Sequence, residues 1–281
     1  NVLVVGAAGT GKTRSIVIPN LLQAYGSYII SDPKGDLYPE YGRYLREKGY
    51  IVKRLNLDNP AKSVHYNFFR YIRSEKDIIK LAHMLAYVDE GYTGQDPFWD
   101  RAAEVLLTCI ISFLWKYRPK EEQTLESIYK LIGCCRLDEG NDQEKTPFDR
   151  IMESVGAKEP QSFTYKQYLK FRVGAVRTMK SILITLTTKL GKYDCREISQ
   201  MLAYDELDIA SIGHKRTAIF VTVSDTDRSM DDLANIFFTQ AMNELCYEAD
   251  HHCRGHRLPL DVRFIMDDFA TNCRINEFPR M

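Results

Sequence analysis

The chain has 281 residues, of which 44% are hydrophobic, so it is long enough to bury a core in one large or two ordinary domains. Its 38 Lys and Arg balance its 38 Asp and Glu, which excludes a global basic field for nucleic-acid binding and makes any such contact local. Seven cysteines at scattered positions exclude a disulfide framework and indicate a reducing, cytosolic setting.

The first feature along the chain is an apolar run at residues 2–5, which predicts a strand, followed by Gly-Ala-Ala-Gly-Thr-Gly-Lys-Thr at 6–13 and a predicted helix over 12–25. This arrangement matches the phosphate-binding loop G-x-x-x-x-G-K-[S/T]. Backbone N–H groups would hold the phosphates, Lys12 would contact the β- and γ-phosphates, and Thr13 would bind Mg²⁺. A glycine-rich turn that binds nothing is the alternative, and the agreement of strand, spacing and helix disfavours it. The predicted nucleotide-binding residues here are Gly6, Gly9, Thr10, Gly11, Lys12, Thr13 and Arg14.

Strands predicted at 28–31 and 51–57 flank a helix at 38–48, an alternation typical of a parallel sheet. Between the first strand and the helix lies Ser-Asp-Pro-Lys-Gly-Asp-Leu at 31–37. Ligands bind outside the carboxyl ends of such strands, so Asp32 and Lys34 are predicted to face the nucleotide or a neighbouring subunit. The alternative, which spacing alone favours, is a Pro-Gly turn in which Asp36 assists the start of the next helix.

From residue 72 to 205 the pattern becomes helical, which predicts an all-α domain inserted into the α/β domain formed by residues 1–71 and 206–281. Helices are predicted at 77–85, 98–115, 125–131, 148–155, 163–190 and 196–203, and 138–145 as an exposed, mobile loop. The longest apolar run, 102–115, is shorter than the ~20 residues that span a bilayer and predicts a buried helix.

A basic stretch at 163–180 contains no acidic residue and includes three aromatic residues, Tyr165, Tyr168 and Phe171. Basic side chains beside stacking aromatics can hold single-stranded DNA without sequence preference. The alternative, a solvated basic helix face with an aromatic core stripe, is favoured by the pattern. The candidate DNA contacts are Lys166, Lys170, Arg172, Arg177 and Lys180.

Strands predicted at 217–224 and 262–266, with a helix at 230–248 between them, resume the α/β pattern. The last strand ends in Asp267 and Asp268. The first carboxylate is predicted to reach Mg²⁺ and the second to act as general base toward water. Two aspartates that only end a strand are the alternative, which the upstream phosphate loop disfavours.

Two weaker patterns remain. Asp225 follows a predicted strand and could line the nucleotide edge, although helix capping before Met230 explains it equally well. Cys246, His251, His252, Cys253 and His256 cluster in sequence, but they lack the paired spacing of a zinc motif, so no metal is predicted there.

Five short segments together resemble the TraG-type coupling proteins of conjugative and type IV secretion systems. The resemblance extends over the whole chain. The segments are 6–13, Asp-Pro-Lys-Gly-Asp-Leu at 32–37, Asn-Phe-Phe at 67–69, Asp-Pro-Phe-Trp at 96–99 and Asp-Asp-Phe-Ala-Thr-Asn at 267–272. The resemblance implies a RecA-like ATP- and Mg²⁺-binding domain with an all-α insert, assembled as a hexamer on the cytoplasmic face of the bacterial membrane. Its partners would be a relaxase or relaxosome with single-stranded DNA, or secreted proteins, and the secretion channel. The insert would recognise this cargo.

This sequence departs from the family pattern at three positions: Asp36 and Asp268 stand where glutamate is usual, and Phe68 where proline is usual. The family's membrane-spanning segment, later sensor strand and trans-acting arginine are expected outside the sequence given. We therefore expect the chain alone to bind nucleotide but hydrolyse it poorly. Alternatives are an FtsK- or HerA-like DNA translocase, which the insert disfavours, and a substrate-docking adaptor that binds nucleotide without turnover.

Overall fold

The computed structural model describes residues 2–7, 9–86, 97–136, 145–224 and 226–268. Contacts divide the chain into two compact units, Asn1–Tyr66 with Asp205–Met281, and Asn67–Tyr204. The sequence-based boundaries lie at 71/72 and 205/206. The loop predicted at 138–145 lies outside the described residues except for its last position.

The strands are β1 (Ser27–Ser31), β2 (Ile51–Asn56), β3 (Thr217–Thr222) and β4 (Val262–Met266). The α-helices within the described residues are α1 (Ile18–Leu22), α2 (Leu37–Glu47), α3 (Glu75–Ala86), α4 (Pro97–Tyr117), α5 (Leu125–Cys134), α6 (Pro147–Lys158), α7 (Phe163–Arg172), α8 (Val176–Leu190), α9 (Arg196–Met201) and α10 (Asp231–His252).

The first unit is built on a parallel sheet with the strand order β2-β3-β1-β4. Every residue of β1 and β3 is buried, whereas β2 and β4 are partly exposed, as expected for two central and two outer strands. Ser31 lies opposite Val221 of β3 and Met266 of β4, so the carboxyl ends of these strands share one edge. Residues that follow β1 and β4 are thereby brought together.

The core of the first unit is formed by apolar residues from the sheet and from the helices beside it. The cluster includes Leu21 of α1, Tyr28 and Ile30 of β1, Leu45 of α2 and Phe220 of β3. Helix α2 contacts β2 and β3. This packing fixes the segment between β1 and α2 relative to the end of the sheet.

The described residues of the second unit form α-helices and short 3-10 turns, organised around α4. This helix packs against α3, α5, α7 and α8, which explains its long apolar run: Ala103, Leu106, Leu107 and Ile110 are fully buried. Ser112 of α4 and Thr164 of α7 also share a buried hydroxyl hydrogen bond of 2.6 Å. In the described part of the chain, no helix combines the length and apolarity needed to cross a membrane.

Two predicted elements differ from the structure. Residues 2–5 form no strand, and the side chains of Val2, Leu3 and Val5 are 90%, 85% and 87% exposed. A strand needs a hydrogen-bonded neighbour, and none of the described strands, including the outer strands β2 and β4, pairs with residues 2–5. The helix predicted at 163–190 is two helices, because the chain turns at 173–175, where Gly174 lowers helix propensity.

Candidate nucleotide-binding site

Glycine is required at three positions of the loop between residues 6 and 13. Gly9 and Gly11 have φ angles of 77° and 80°, in the left-handed region that glycine enters without steric strain. At Gly6, an added Cβ would lie 2.8 Å from Thr10 Oγ1. Thr10 Oγ1 itself donates to the carbonyl oxygen of Ala7 at 2.8 Å, which closes the turn. In the described part of the loop, 6–7 and 9–13, the backbone therefore makes a tight turn that depends on glycine.

The side chain of Lys12 folds back over this loop. Its Nζ donates to the carbonyl oxygens of Gly6 at 2.9 Å and Ala7 at 3.1 Å. These exposed bonds hold the ammonium group against the loop, where phosphate oxygens could replace the carbonyls as acceptors. Arg14 lies in the π-helical turn Thr13–Val17 that leaves the loop, and it is exposed.

A hydrogen bond joins the loop to the end of β4. Thr13 Oγ1 donates to Asp267 Oδ2 at 2.5 Å, although the two residues are 254 positions apart. Asp267 is buried, and its other carboxylate oxygen accepts the N–H of Asp268 at 3.2 Å. A hydroxyl and a carboxylate are hard oxygen ligands of the kind Mg²⁺ prefers, so the pair fits that ion.

Asp268 differs from its neighbour in both exposure and backbone conformation. It is exposed and has a φ angle of 48°, a left-handed conformation that Asp adopts more readily than most residues. The predicted motif continues through 269–272, which lie outside the described residues. Beside this strand end, Ser31 Oγ is buried and has no hydrogen-bond partner among the described residues. Ser31 Oγ is therefore one further polar atom near this end of the sheet.

Asp32 has a structural partner in place of the predicted nucleotide contact. Its side chain is buried, and its two carboxylate oxygens accept the N–H groups of Leu37 at 3.2 Å and Tyr38 at 3.0 Å, at the start of α2. Burial raises the pKa of Asp32, and the two backbone hydrogen bonds oppose that shift. Asp36, the alternative capping residue, makes no such bond, and Lys34 is exposed.

In the second unit, two of the aromatic residues considered as candidates for stacking on DNA belong to the core. Tyr168 and Phe171 are only 5% and 7% exposed, and the Tyr168 hydroxyl donates to the buried Asp149 carboxylate at 2.9 Å. Arg172 lies 3.4 Å from the same carboxylate oxygen. These two rings therefore belong to an aromatic core stripe, the interpretation that the sequence pattern favoured over stacking on DNA. Of the basic residues, Lys166, Lys170 and Arg177 are exposed, Arg172 and Lys180 are half-buried, and DNA binding by them stays a prediction.

Two further outcomes concern the remaining patterns. Asp225 lies outside the described residues, and the adjacent Ser224 Oγ accepts the N–H of Asp227 at 3.2 Å. The structure also brings together His214, Glu248 and Cys253, three side chains of types that can ligate a metal, a grouping that the sequence did not predict. Of these three residues, only Cys253 belongs to the cysteine and histidine cluster at 246–256 that the sequence analysis considered. His214 and Glu248 were missed because they do not lie at a spacing typical of a metal motif.

The sequence matches the family described as Type IV secretory system Conjugative DNA transfer over residues 1–279. The chain belongs to this family. The match covers nearly the whole sequence and agrees with the TraG-type resemblance read from the motifs. No curated protein matches the chain in sequence.

Solved structures of the coupling protein TrwB share the fold of this family member. The unbound bacterial conjugative coupling protein has a TM-score of 0.55 at 18% identity, with 93% of this chain and 53% of that chain covered. The plasmid coupling protein with the ATP analogue ADPNP has a TM-score of 0.55 at 16% identity, covering 96% and 57%. Its complex with ADP and Mg²⁺ has a TM-score of 0.52 at 15% identity, covering 93% and 54%. The chain thus has the RecA-like fold of the coupling proteins and spans a little over half of their length.

Proposed function

We propose that this chain is the ATP-hydrolysing region of a coupling protein that drives relaxase-bound single-stranded DNA, or protein substrates, into a type IV secretion channel. The observation that carries the proposal is the hydrogen bond from Thr13 Oγ1 to Asp267 Oδ2. It brings the phosphate-loop hydroxyl and the strand-end carboxylate to one point. That juxtaposition is needed for a metal ion held between protein and nucleotide phosphates.

Each group of the site has a distinct role in this proposal. The N–H groups of residues 6–13 bind the β-phosphate, and Lys12 exchanges its two carbonyl acceptors for phosphate oxygens. Thr13 and Asp267 would hold Mg²⁺, which would supply charge neutralisation at the nucleotide phosphates. Asp268 accepts the proton of the attacking water.

The proposed assembly is a hexameric ring at the cytoplasmic face of the membrane, in which neighbouring subunits complete each site. The helical second unit would recognise cargo or the relaxosome. Family membership supports a place in conjugative DNA transfer. Structures of the similar TrwB protein with ADPNP and with ADP and Mg²⁺ support a nucleotide and magnesium as ligands.

The test is Mg²⁺-dependent ATP hydrolysis by the full-length protein. We expect Lys12→Ala to lower turnover by about 100-fold or more, because a cation that stabilises the developing phosphate charge is lost. Lys62→Ala is the matched control, since Lys62 is an exposed lysine of the same unit outside the loop, and it should keep wild-type turnover.

Two outcomes would contradict the proposal. Undiminished hydrolysis by the Lys12→Ala variant would place the ATPase site elsewhere. Tight ATP binding without turnover by the assembled wild-type protein would instead support a nucleotide-binding adaptor. A plasmid-transfer assay of the same variants measures whether DNA is transferred, which ATP hydrolysis alone does not show.

A further inference from the structure

Three side chains with metal-binding atoms meet where α10 ends. Glu248 lies in the last turns of the helix, Cys253 is the residue that caps it, and His214 follows the 3-10 turn Ile209–Gly213. The Nε2 atom of His214 lies 3.0 Å from Glu248 Oε1 and 3.9 Å from Cys253 Sγ. The three ligand atoms all lie within 4.8 Å of one another.

These separations are close to those of a tetrahedral zinc site. With ordinary Zn–N, Zn–O and Zn–S bond lengths, the ligand atoms lie about 3.3 Å apart for a nitrogen and oxygen and about 3.6 Å apart for a nitrogen and sulfur. The observed distances of 3.0 Å and 3.9 Å differ from these values by only about 0.3 Å. The third pair, Glu248 and Cys253, lies within 4.8 Å, and binding an ion would require these partly exposed side chains to rotate toward a common point.

Two neighbouring features favour a cation at this point. His252 Nδ1 lies 2.8 Å from Glu248 Oε2, so it holds the carboxylate oxygen that does not face His214. Such an outer partner fixes the orientation of a metal ligand. The carbonyl groups at the end of α10 also give that end a partial negative charge, which attracts a positive ion.

We propose that His214, Glu248 and Cys253 bind one Zn²⁺ ion, with water in the fourth position. A thiolate, an imidazole and a carboxylate form a donor set typical of zinc, whereas Mg²⁺ and Ca²⁺ prefer oxygen ligands throughout. The ion would tie the end of α10 to the loop that leads into β3, since His214 precedes the first residue of that strand by three positions.

The competing explanation is two ordinary hydrogen-bonded histidine–glutamate pairs. Those pairs account for His214, Glu248 and His252 without a metal. They do not involve Cys253, so the sulfur atom distinguishes the two explanations. A test must therefore measure both zinc affinity and sulfur ligation.

The first measurement is a zinc titration of the full chain, stripped with a chelator and kept in excess Mg²⁺ so that Thr13 and Asp267 do not contribute. We expect one Zn²⁺ per chain, with affinity reduced more than 100-fold in Cys253→Ser and His214→Ala. The matched controls are Cys246→Ser and His251→Ala, which change an exposed cysteine and an exposed histidine of α10 outside the cluster and should bind as the wild type does. His252→Ala should weaken binding by about 10- to 100-fold, as expected for a positioning residue.

The second measurement uses Co²⁺ in place of Zn²⁺. Sulfur ligation gives a thiolate-to-cobalt charge-transfer band, which should be absent in Cys253→Ser and present in Cys246→Ser. Zinc at a hundredfold excess over its Kd should raise the Tm of the wild type by about 5 °C and leave that of Cys253→Ser unchanged.

The proposal is overturned if the wild-type chain binds no stoichiometric zinc. It is equally overturned if Cys253→Ser and His214→Ala bind as tightly as the controls, because the ion would then sit elsewhere. Circular dichroism of each metal-free variant checks that folding is retained, which the partial exposure of these residues leads us to expect.

Discussion

At the scale of single residues, the two consecutive aspartates that follow β4 have different surroundings and hence different proposed roles. Asp267 is buried and accepts hydrogen bonds from Thr13 and from the N–H of Asp268. Asp268 is exposed and has a left-handed backbone. A buried, oriented carboxylate suits a metal, whereas an exposed one can exchange protons with water.

We expect Asp268→Asn to lower the ATP turnover of the full-length protein by about 100-fold or more, because the amide cannot accept the proton of water. Nucleotide affinity and Tm should stay at wild-type values, since Asn also tolerates the left-handed backbone. Asp267→Asn is the comparison and should lose Mg²⁺-dependent nucleotide binding as well. Steady-state hydrolysis and nucleotide titration measure the two effects, and wild-type turnover in Asp268→Asn would rule out this base.

Asp32 is expected to make stability depend on pH. Burial raises its pKa above the ordinary 3.8, so the folded state binds this proton more tightly than the unfolded state does. Its contribution to stability is therefore present below that ordinary value and is lost as pH rises through the folded-state pKa. The stability of the wild type relative to Asp32→Asn should fall as pH increases.

Urea unfolding of both proteins between about pH 4 and pH 7 measures this difference in the free energy of unfolding. Asp36→Asn is the matched control, because Asp36 is exposed and makes no capping hydrogen bond. The difference in the free energy of unfolding between this variant and the wild type should vary less with pH. If instead the wild type became more stable relative to Asp32→Asn as the pH rises, the prediction would be contradicted. The hydrogen bonds from Leu37 and Tyr38 would then lower the pKa of Asp32 by more than burial raises it.

At the scale of secondary-structure elements, two helical glycines provide a test of packing between α6 and α7. A Cβ at Gly156 would overlap the ring of Tyr165, whereas a Cβ at Gly133 of α5 would meet nothing within 4 Å. We expect Gly156→Ala to destabilise the protein by about 1–3 kcal/mol through overpacking. Gly133→Ala should stabilise it by about 0.5–1 kcal/mol, because it lowers the entropy cost of forming the helix. Denaturant unfolding of the pair checks both signs, and equal effects would contradict this account of the α6–α7 contact.

Elements with strong local patterns were predicted closely from the sequence. The bounds of β4 were predicted as observed, and those of β1, β2 and α2 lie within one residue at each end. The strand at 2–5 was wrong, since its apolar residues have no strand partner in the described part of the chain. Strand formation depends on a neighbour that local sequence does not specify.

At the scale of the whole molecule, the two candidate sites differ in whether local sequence or long-range folding brings their residues together. The predicted phosphate loop is contiguous in sequence, and its proposed chemistry follows from the spacing of Gly6, Gly11 and Lys12. The group of His214, Glu248 and Cys253 forms only when the chain between them is folded, so its residues carry no recognisable interval. The sheet order β2-β3-β1-β4 likewise depends on long-range pairing. The alternation of strands and helices predicts that the sheet is parallel, but it does not predict the order of the strands.

The position of β1 between two late strands has a consequence for synthesis on the ribosome. The N–H of Thr217 donates to Ser27 Oγ, 190 positions earlier, so β1 meets its first strand partner only after the helical unit has been made. At ordinary elongation rates this delay is roughly 10–40 s. During that time the nascent chain exposes Tyr28, Ile29 and Ile30, which are fully buried in the finished sheet. We therefore expect translation speed and chaperone supply to affect the yield of this protein more than that of one whose neighbouring strands are consecutive.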